Sequence, residues 1–340
     1  MEMNGISHLT RIGDESGVGE ARRAALVMAT SAGFSPTDAG KLAIAVTEAA
    51  TNVLRHGGGG EILLRPIGDG IEMLALDHGP GIANLGDAMQ DGRSTAGSAG
   101  IGLGAITRLA SFFELYTSDG LGTVLAVRFY PSEGREPEVR PKAMIQVGVV
   151  QSPFPGEFSC GDAWAMKGHT VLVADGLGHG FQAAQAAGAA VAIFADNWRR
   201  PVRDIVEAAH LALKPTRGAA LAIAEADLDS HTVRFCGLGN ISGTIVAGEN
   251  ARGMLSHNGT AGHEIQRIEQ FEYPWPEGAL LVMHTDGISA KWDLAAYPGL
   301  ALRHPSLVAA ILYRDFRRRQ DDATVIVVKA GDRPATQEAS

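Results

Sequence analysis

The sequence predicts two α/β domains in series. In the first, helices cover one face of a mixed sheet; the second is an α/β/β/α sandwich of two sheets. Three observations lead there. A chain of 340 residues is long enough for two cores of ordinary size. Its composition, 45% hydrophobic and 20% charged, is that of a globular chain rather than a disordered or coiled-coil one. Between the halves runs PSEGREPEVRPK, residues 131–142, with three prolines and, Val139 apart, no long apolar side chain. Residues 1–130 and 143–330 are therefore expected to fold on either side of a linker, with a polar tail over 331–340.

In the first half, Ser35-Pro36-Thr37-Asp38 supplies an N-cap, a proline at the first helical position and an acid in the first turn. The helix they open is expected to reach about His56. Leu42, Val46, Ala49 and Val53 recur at three- and four-residue spacing and form its buried stripe. Glu48 and Asn52, four apart, project together beside that stripe. The runs EILLRPI and IEMLALD read as strands joined in a hairpin at Gly68-Asp69-Gly70. After a glycine-rich stretch from Gly97 to Gly104 come a short helix and two further strands, FFELYTS and TVLAVRFY.

The second half opens on the strand MIQVGVV. HTVLVAD then runs into an alanine-rich helix from about Phe181 to Trp198. AALAIAEADL, TVRFCGLG and GTIVAG alternate strands with turns, and GALLVMHTD adds another. PSLVAAILYRDFRRR reads as an amphipathic helix before the final strand VIVVK. Phe235 and Met283 inside these runs are expected in the core, and Arg317-Arg318-Arg319 at a solvated helix end.

Four groups of residues in the first half carry chemistry. They are Glu48 with Asn52, then Asp77-His78-Gly79-Pro80-Gly81 at a strand end, then Gly97 to Gly104, then Gly122-Thr123 opening the last strand. In order and spacing they resemble the N, G1, G2 and G3 boxes of the GHKL ATPase and kinase superfamily, which implies a Bergerat-type sandwich that binds ATP with Mg²⁺. The resemblance implies that Asp77 accepts from the adenine amino group while Gly79 and Gly81 turn the backbone beneath the base. Gly97, Gly100, Gly102, Leu103, Gly104 and Thr123 would line the rest of the nucleotide site, with helix amides toward phosphate. Asn52 would offer a neutral oxygen to Mg²⁺, and Glu48 would be the base for the attacking hydroxyl or water. Asp77 through Ile82 and Asp91-Gly92-Arg93-Ser94-Thr95 are especially similar to the RsbT-type serine/threonine kinases of bacterial partner switching. That implies transfer of the ATP γ-phosphoryl group to a STAS-domain protein. Thr51-Asn52-Val53-Leu54-Arg55-His56 departs toward the anti-sigma kinase type, which leaves the identity of the protein substrate open; an ATP-sensing or anti-sigma-type binding module without kinase activity stands as a separate alternative.

In the second half, acids fall at strand ends or the adjoining turns: Ser159-Cys160-Gly161-Asp162, Asp175-Gly176-Leu177-Gly178-His179-Gly180, Asp286-Gly287 and Asp321-Asp322-Ala323-Thr324. Carboxylates placed so can converge on divalent metal at a sheet edge. These motifs resemble the SpoIIE/RsbX branch of the PPM serine/threonine phosphatases. The resemblance implies that Asp175 bridges two Mn²⁺ or Mg²⁺ ions, that the Gly176 carbonyl binds one and that Asp286 and Asp321 complete the other. Asp162 is then an outer or additional metal ligand, and Asp322 a second acid of the pair. His179 either contacts phosphate or occupies a tight loop, and Cys160 is expected to be a buried thiol.

Several classes are excluded. A net charge of −9 argues against nucleic acid and anionic membrane as partners. Two cysteines form no disulfide framework or zinc spacing, no Walker loop occurs, and no long uncharged apolar run could cross a membrane. The expectation is a cytoplasmic bifunctional switch. Its partners would be STAS-domain anti-anti-sigma or stressosome-type proteins and their phosphorylated forms, with a sigma factor or downstream regulator and a homodimer left open.

Overall fold

A computed structural model describes residues 2–3, 6–88, 102–132 and 145–330. The chain contacts divide into two compact units, Ser7–Val139 and Met1–Ile6 with Arg140–Ser340. Most of the expected linker, residues 133–142, and the tail over 331–340 lie outside the described residues.

The chain opens on a two-residue strand, β1 (Glu2–Met3), that belongs to the second unit. The first unit then runs β2 (His8–Ile12), α1 (Glu15–Ser31), α2 (Pro36–Arg55), β3 (Gly60–Ile67), β4 (Gly70–Asp77), α3 (Leu85–Ala88), α4 (Gly102–Leu109), β5 (Phe112–Thr117) and β6 (Thr123–Phe129). Its sheet has the order β2-β3-β4-β6-β5. Every pairing is antiparallel, so the expectation of a mixed sheet is corrected. The reason is local: β3–β4 and β5–β6 are both hairpins, and β6 slots in beside β4.

Helix α2 forms as its capping signals direct, with the Asp38 amide donating to Ser35 Oγ at 3.1 Å. The Asp38 carboxylate does more than face the helix dipole. It accepts from Lys41 Nζ at 2.8 Å, from the Ser132 hydroxyl at 2.7 Å and from the Ser132 amide at 2.9 Å, which ties the segment after β6 to the first turn of α2. Lys41 and then Ser132 hold this carboxyl well below the usual carboxylate range. Helix α1 was not anticipated. It is capped by Asp14, which accepts from the amides of Ser16 and Gly17, and it buries Gly17, Val18, Ala21, Ala25 and Ala29. That small-residue stripe packs into one core with Leu42, Val46 and Val53 of α2 and Ile62, Met73 and Val127 of the sheet.

The second unit continues with β7 (Ile145–Ser152), β8 (Asp162–Lys167), β9 (Thr170–Gly176), α5 (Phe181–Asn197), α6 (Val202–Leu213), β10 (Ala219–Asp227), β11 (Thr232–Leu238), β12 (Ser242–Ala247), β13 (Asn250–Met254), β14 (Ser256–His257), β15 (Phe271–Pro274), β16 (Leu280–His284), α7 (Pro305–Phe316) and β17 (Ala323–Ala330). One sheet has the order β1-β8-β9-β10-β11-β14, with β15 also on β11; the other is β13-β12-β16-β17-β7. Trp164, Phe235, Met283 and Ile326 belong to the core between the sheets. Ala186, Ala190 and Phe194 of α5 and Ile205 and Val206 of α6 cover the outer face of the first sheet. The layers are thus α/β/β/α, with α7 against β7 and β17. Helix α7 is not amphipathic as expected: every residue from Pro305 to Tyr313 is buried. Its far side is covered by the segment before it, where Leu300 is buried and the Tyr297 hydroxyl donates to Asp315 at 2.8 Å. Among the described residues, no helix is long and apolar enough to cross a membrane.

Candidate active sites

In the first unit, Asp77 closes β4 and is buried, with 8% of its surface exposed. Three turns meet around it. Its Oδ1 accepts from the amides of Gly79 at 2.9 Å and Thr123 at 3.1 Å, and a carboxylate has acceptor positions beyond these two. A Cβ on Gly57 would come within 2.4 Å of Asp77 Cβ, and one on Gly79 within 2.8 Å of Gly57 Cα. Gly122, at φ +71°, would bring a Cβ within 2.2 Å of the Asp77 carbonyl. The turn after Asp77 is held in place by Thr117, whose hydroxyl accepts from the Ile82 amide at 2.8 Å and lies 3.3 Å from the Thr123 hydroxyl.

Glu48 and Asn52 sit half-buried one turn apart on α2. Gly102, Leu103 and Gly104 form the first turn of α4. Leu103 and Gly104 are buried, whereas a Cβ on Gly102 would meet nothing within 4 Å among the described residues. Gly97 and Gly100 lie outside the described residues, as does Asp91–Thr95. Gly57 and Thr117 are site-forming residues the sequence did not single out. Gly57 follows directly on the flagged His56; Thr117 carries no motif.

In the second unit, strand register brings the acids together. Asp162 opens β8 and stands directly opposite Asp175 near the end of β9. From the other sheet, Asp286 follows β16 by one intervening residue, and Asp321 and Asp322 immediately precede β17. Thr285 joins the two sheets. Its hydroxyl donates to Asp162 Oδ2 at 2.8 Å and accepts from the Thr324 amide at 3.1 Å, while its own amide donates to the Thr324 carbonyl at 3.0 Å. Asp322 Oδ1 accepts from the Phe154 amide at 2.8 Å, and its Oδ2 is buried without a hydrogen-bond partner. Asp286 Oδ2 accepts from Asn240 Nδ2 at 2.7 Å. Thr285 and Asn240 were missed in the sequence; Thr285 sits beside a flagged aspartate, but nothing in its type announces the role.

The electrostatics record this convergence. Burial, followed by the charges of Asp286, Asp321 and Asp322, pushes Asp175 up to about 8. Burial and then Asp175 raise Asp162, and burial and then Asp286 raise Asp321. Cys160 is buried, and burial with the neighbouring Asp162 and Asp322 raises its thiol far above the usual range, which leaves it inert as a nucleophile. His179 stacks on Phe154 with ring centres 4.5 Å apart, its Nδ1 3.2 Å from Glu157 Oε1. An all-oxygen donor set of mutually repelling carboxylates, one with an orphaned buried oxygen, fits hard divalent cations. Among the described residues no three acidic, histidine or cysteine side chains form a ready-made cage, so binding would draw the carboxylates inward or use bridging water.

Comparison with known proteins follows the same division. Residues 14–129 match the family described as histidine kinase-like ATPase domain, and residues 167–331 match the stage II sporulation protein E (SpoIIE) family. The serine/threonine-protein kinase RsbT of Bacillus subtilis is 34% identical over 117 residues, which span 33% of this chain and 88% of RsbT. A solved structure described as the bacterial stressosome, a modular system adapted to control secondary messenger signalling, is 27% identical. It covers 54% of this chain and 99% of its own, with a TM-score of 0.50. The crystal structure of RsbX in complex with magnesium is 23% identical over 54% of this chain and 94% of its own, at a TM-score of 0.46.

Proposed function

From a chain whose first unit belongs to the family of the serine/threonine-protein kinase RsbT and whose second is a SpoIIE-type phosphatase domain, a bifunctional partner-switching regulator, we propose a division of labour between two sites. The first phosphorylates a serine or threonine of a STAS-domain protein. The second removes phosphate from such proteins, and both act in the cytoplasm.

In the kinase unit, Asp77 would anchor the adenine amino group, and Asn52 is the residue that would offer Mg²⁺ a neutral oxygen. Gly79, Gly81, Gly102, Leu103, Gly104 and Thr123 line the nucleotide site. Glu48 takes the proton as the substrate hydroxyl bonds to the γ-phosphorus and the bond to the β-phosphate oxygen breaks, releasing ADP. In the phosphatase unit, Asp175, the Gly176 carbonyl, Asp286 and Asp321 are the groups that would hold a pair of Mn²⁺ or Mg²⁺ ions. Asp162, steadied by Thr285, and Asp322, steadied by the Phe154 amide, are the outer acids. Metal bound there supplies a water of lowered pKa and neutralises phosphate oxygens. The products are inorganic phosphate and the free hydroxyl.

The observation that carries the phosphatase reading is the cluster of buried and half-buried carboxylates from both sheets, whose burial and neighbouring charges raise Asp162, Asp175 and Asp321, with Asp322 Oδ2 left unpartnered. Such a cluster destabilises the fold unless a cation fills it. The test is incubation of the full chain with γ-labelled ATP, Mg²⁺ and a candidate STAS protein, followed by Mn²⁺ without ATP. Label should enter the STAS protein and then leave as phosphate. Glu48→Gln should slow entry by roughly 10²–10⁴ and keep nucleotide binding. Nucleotide binding without transfer to any STAS protein would replace the kinase by an ATP sensor, and label that never leaves would defeat the phosphatase.

A further inference from the structure

The geometry points to Arg217 as the residue that grips the substrate's phosphate at the acid centre, a role that rests on the phosphatase reading above. Strand β10 begins at Ala219, and its first residues pair with the end of β9, Ala219 opposite Gly176 and Ala220 opposite Asp175. The pairing extends past the strand, where the Leu177 amide donates to the Gly218 carbonyl at 3.1 Å. Arg217 stands next in line, at the rim that carries Asp175.

Its guanidinium lies over the loop that follows Asp175. A Cβ on Gly178 would come within 3.1 Å of Arg217 Nη1. The Gly178 carbonyl lies 3.3 Å from the Cβ position of Gly161, which in turn is 2.7 Å from Asp322 Oδ2. The guanidinium thus lies over the loop that leaves Asp175, and Arg217 is exposed, its side chain without an ion pair or hydrogen bond among the described residues. A guanidinium held at the rim that carries Asp175 and left unpaired is available to an incoming anion.

The backbone beneath it is fixed. The amide and hydroxyl of Thr216 both donate to the Leu213 carbonyl, at 2.9 and 2.7 Å, and the Gly218 amide donates to Thr216 Oγ1 at 3.0 Å. His263 Nε2 lies 2.8 Å from the Arg217 carbonyl. A pre-set turn lowers the ordering cost of gripping a ligand. The ligand chemistry that satisfies both features is a phosphate monoester dianion, with metal-facing oxygens on the acid side and a two-pronged hydrogen bond from guanidinium on the other. Arg217 transfers no proton; it binds and orients the phosphorus for attack.

The test uses the full chain as wild type, Arg217→Ala and Arg217→Lys, with Mn²⁺ and a phosphoserine peptide. Arg217→Ala should raise both KM and the inhibition constant of inorganic phosphate by about tenfold or more. Calorimetric Mn²⁺ affinity and the melting temperature should stay at wild-type values, and Arg217→Lys should recover part of the loss. Unchanged KM and phosphate inhibition in Arg217→Ala, or lost Mn²⁺ binding, would overturn the assignment. Calorimetric binding of inorganic phosphate to the Mn²⁺-loaded chain tests Arg217 even where no peptide is hydrolysed, and that failure would count against the phosphatase reading alone.

Discussion

Below about pH 8, Asp175 of the metal-free chain keeps a proton that the same residue gives up near pH 4 once unfolded, because burial and the fields of Asp286, Asp321 and Asp322 disfavour its charge. The native state therefore binds the extra proton between those limits, and the stability attached to Asp175 declines as pH rises from about 4 to 8. In Asp175→Asn the residue no longer titrates. In the presence of EDTA its melting temperature should gain on wild type progressively across that window and hold a constant lead above it. A gap independent of pH would show that neither burial nor the neighbouring acids raise Asp175. Metal reverses the sign of the effect, since ligation needs the carboxylate ionised, so saturating Mn²⁺ should stabilise wild type and not Asp175→Asn.

Elements, more than single side chains, set where these acids meet, and the turn after β16 is the tightest joint. A Cβ on Gly287 would lie 1.8 Å from the Asp322 carbonyl, and the Arg318 amide donates to the Gly287 carbonyl at 2.7 Å. Gly287→Ala must push the two acid-bearing turns apart, so it should cost about 1–3 kcal/mol in denaturant titrations and abolish Mn²⁺ binding. Gly253→Ala on exposed β13, where a Cβ meets nothing within 4 Å, should change stability by no more than about 0.5 kcal/mol. A Gly287→Ala chain that binds Mn²⁺ normally would refute the joint.

The same scale explains what was legible in the sequence. Helix α2 announced itself through Ser35, Pro36 and Asp38, and strands that end in Asp77 and Asp175 through continuous apolar runs. Helix α1 did not, because beside Val18 its buried face is Gly17 and three alanines, which score weakly against leucine and valine. Helix α7 looked two-faced in composition and is enclosed only because a distant segment covers it. Of the acid centre, the aspartates were readable from their turns. Asn240, 46 residues from its partner Asp286, becomes a site residue only once β12 pairs with β16, and Thr285, 123 from Asp162, only once the two sheets are stacked.

At the scale of the whole molecule, two opposed activities in one chain would consume ATP to no effect unless their targets differ or one activity heeds the other. The expected outcome is that saturating Mg²⁺ and ATP change the phosphatase kcat/KM of the full chain on a phosphorylated STAS protein, and that Asp77→Asn removes the change. Identical rates with and without nucleotide would leave separate targets as the explanation.

The little strand β1 adds a consequence for engineering. Glu2 and Met3 pair with Met166 and Ala165 of β8, so residues on both flanks of the kinase unit are built into the phosphatase unit. Topologically the kinase is an insertion, a cassette with two splice points, near residues 6 and 140. Anything fused ahead of Glu2 abuts the sheet that holds Asp162, and a domain exchange made by simple truncation at the linker would strip that sheet of its border.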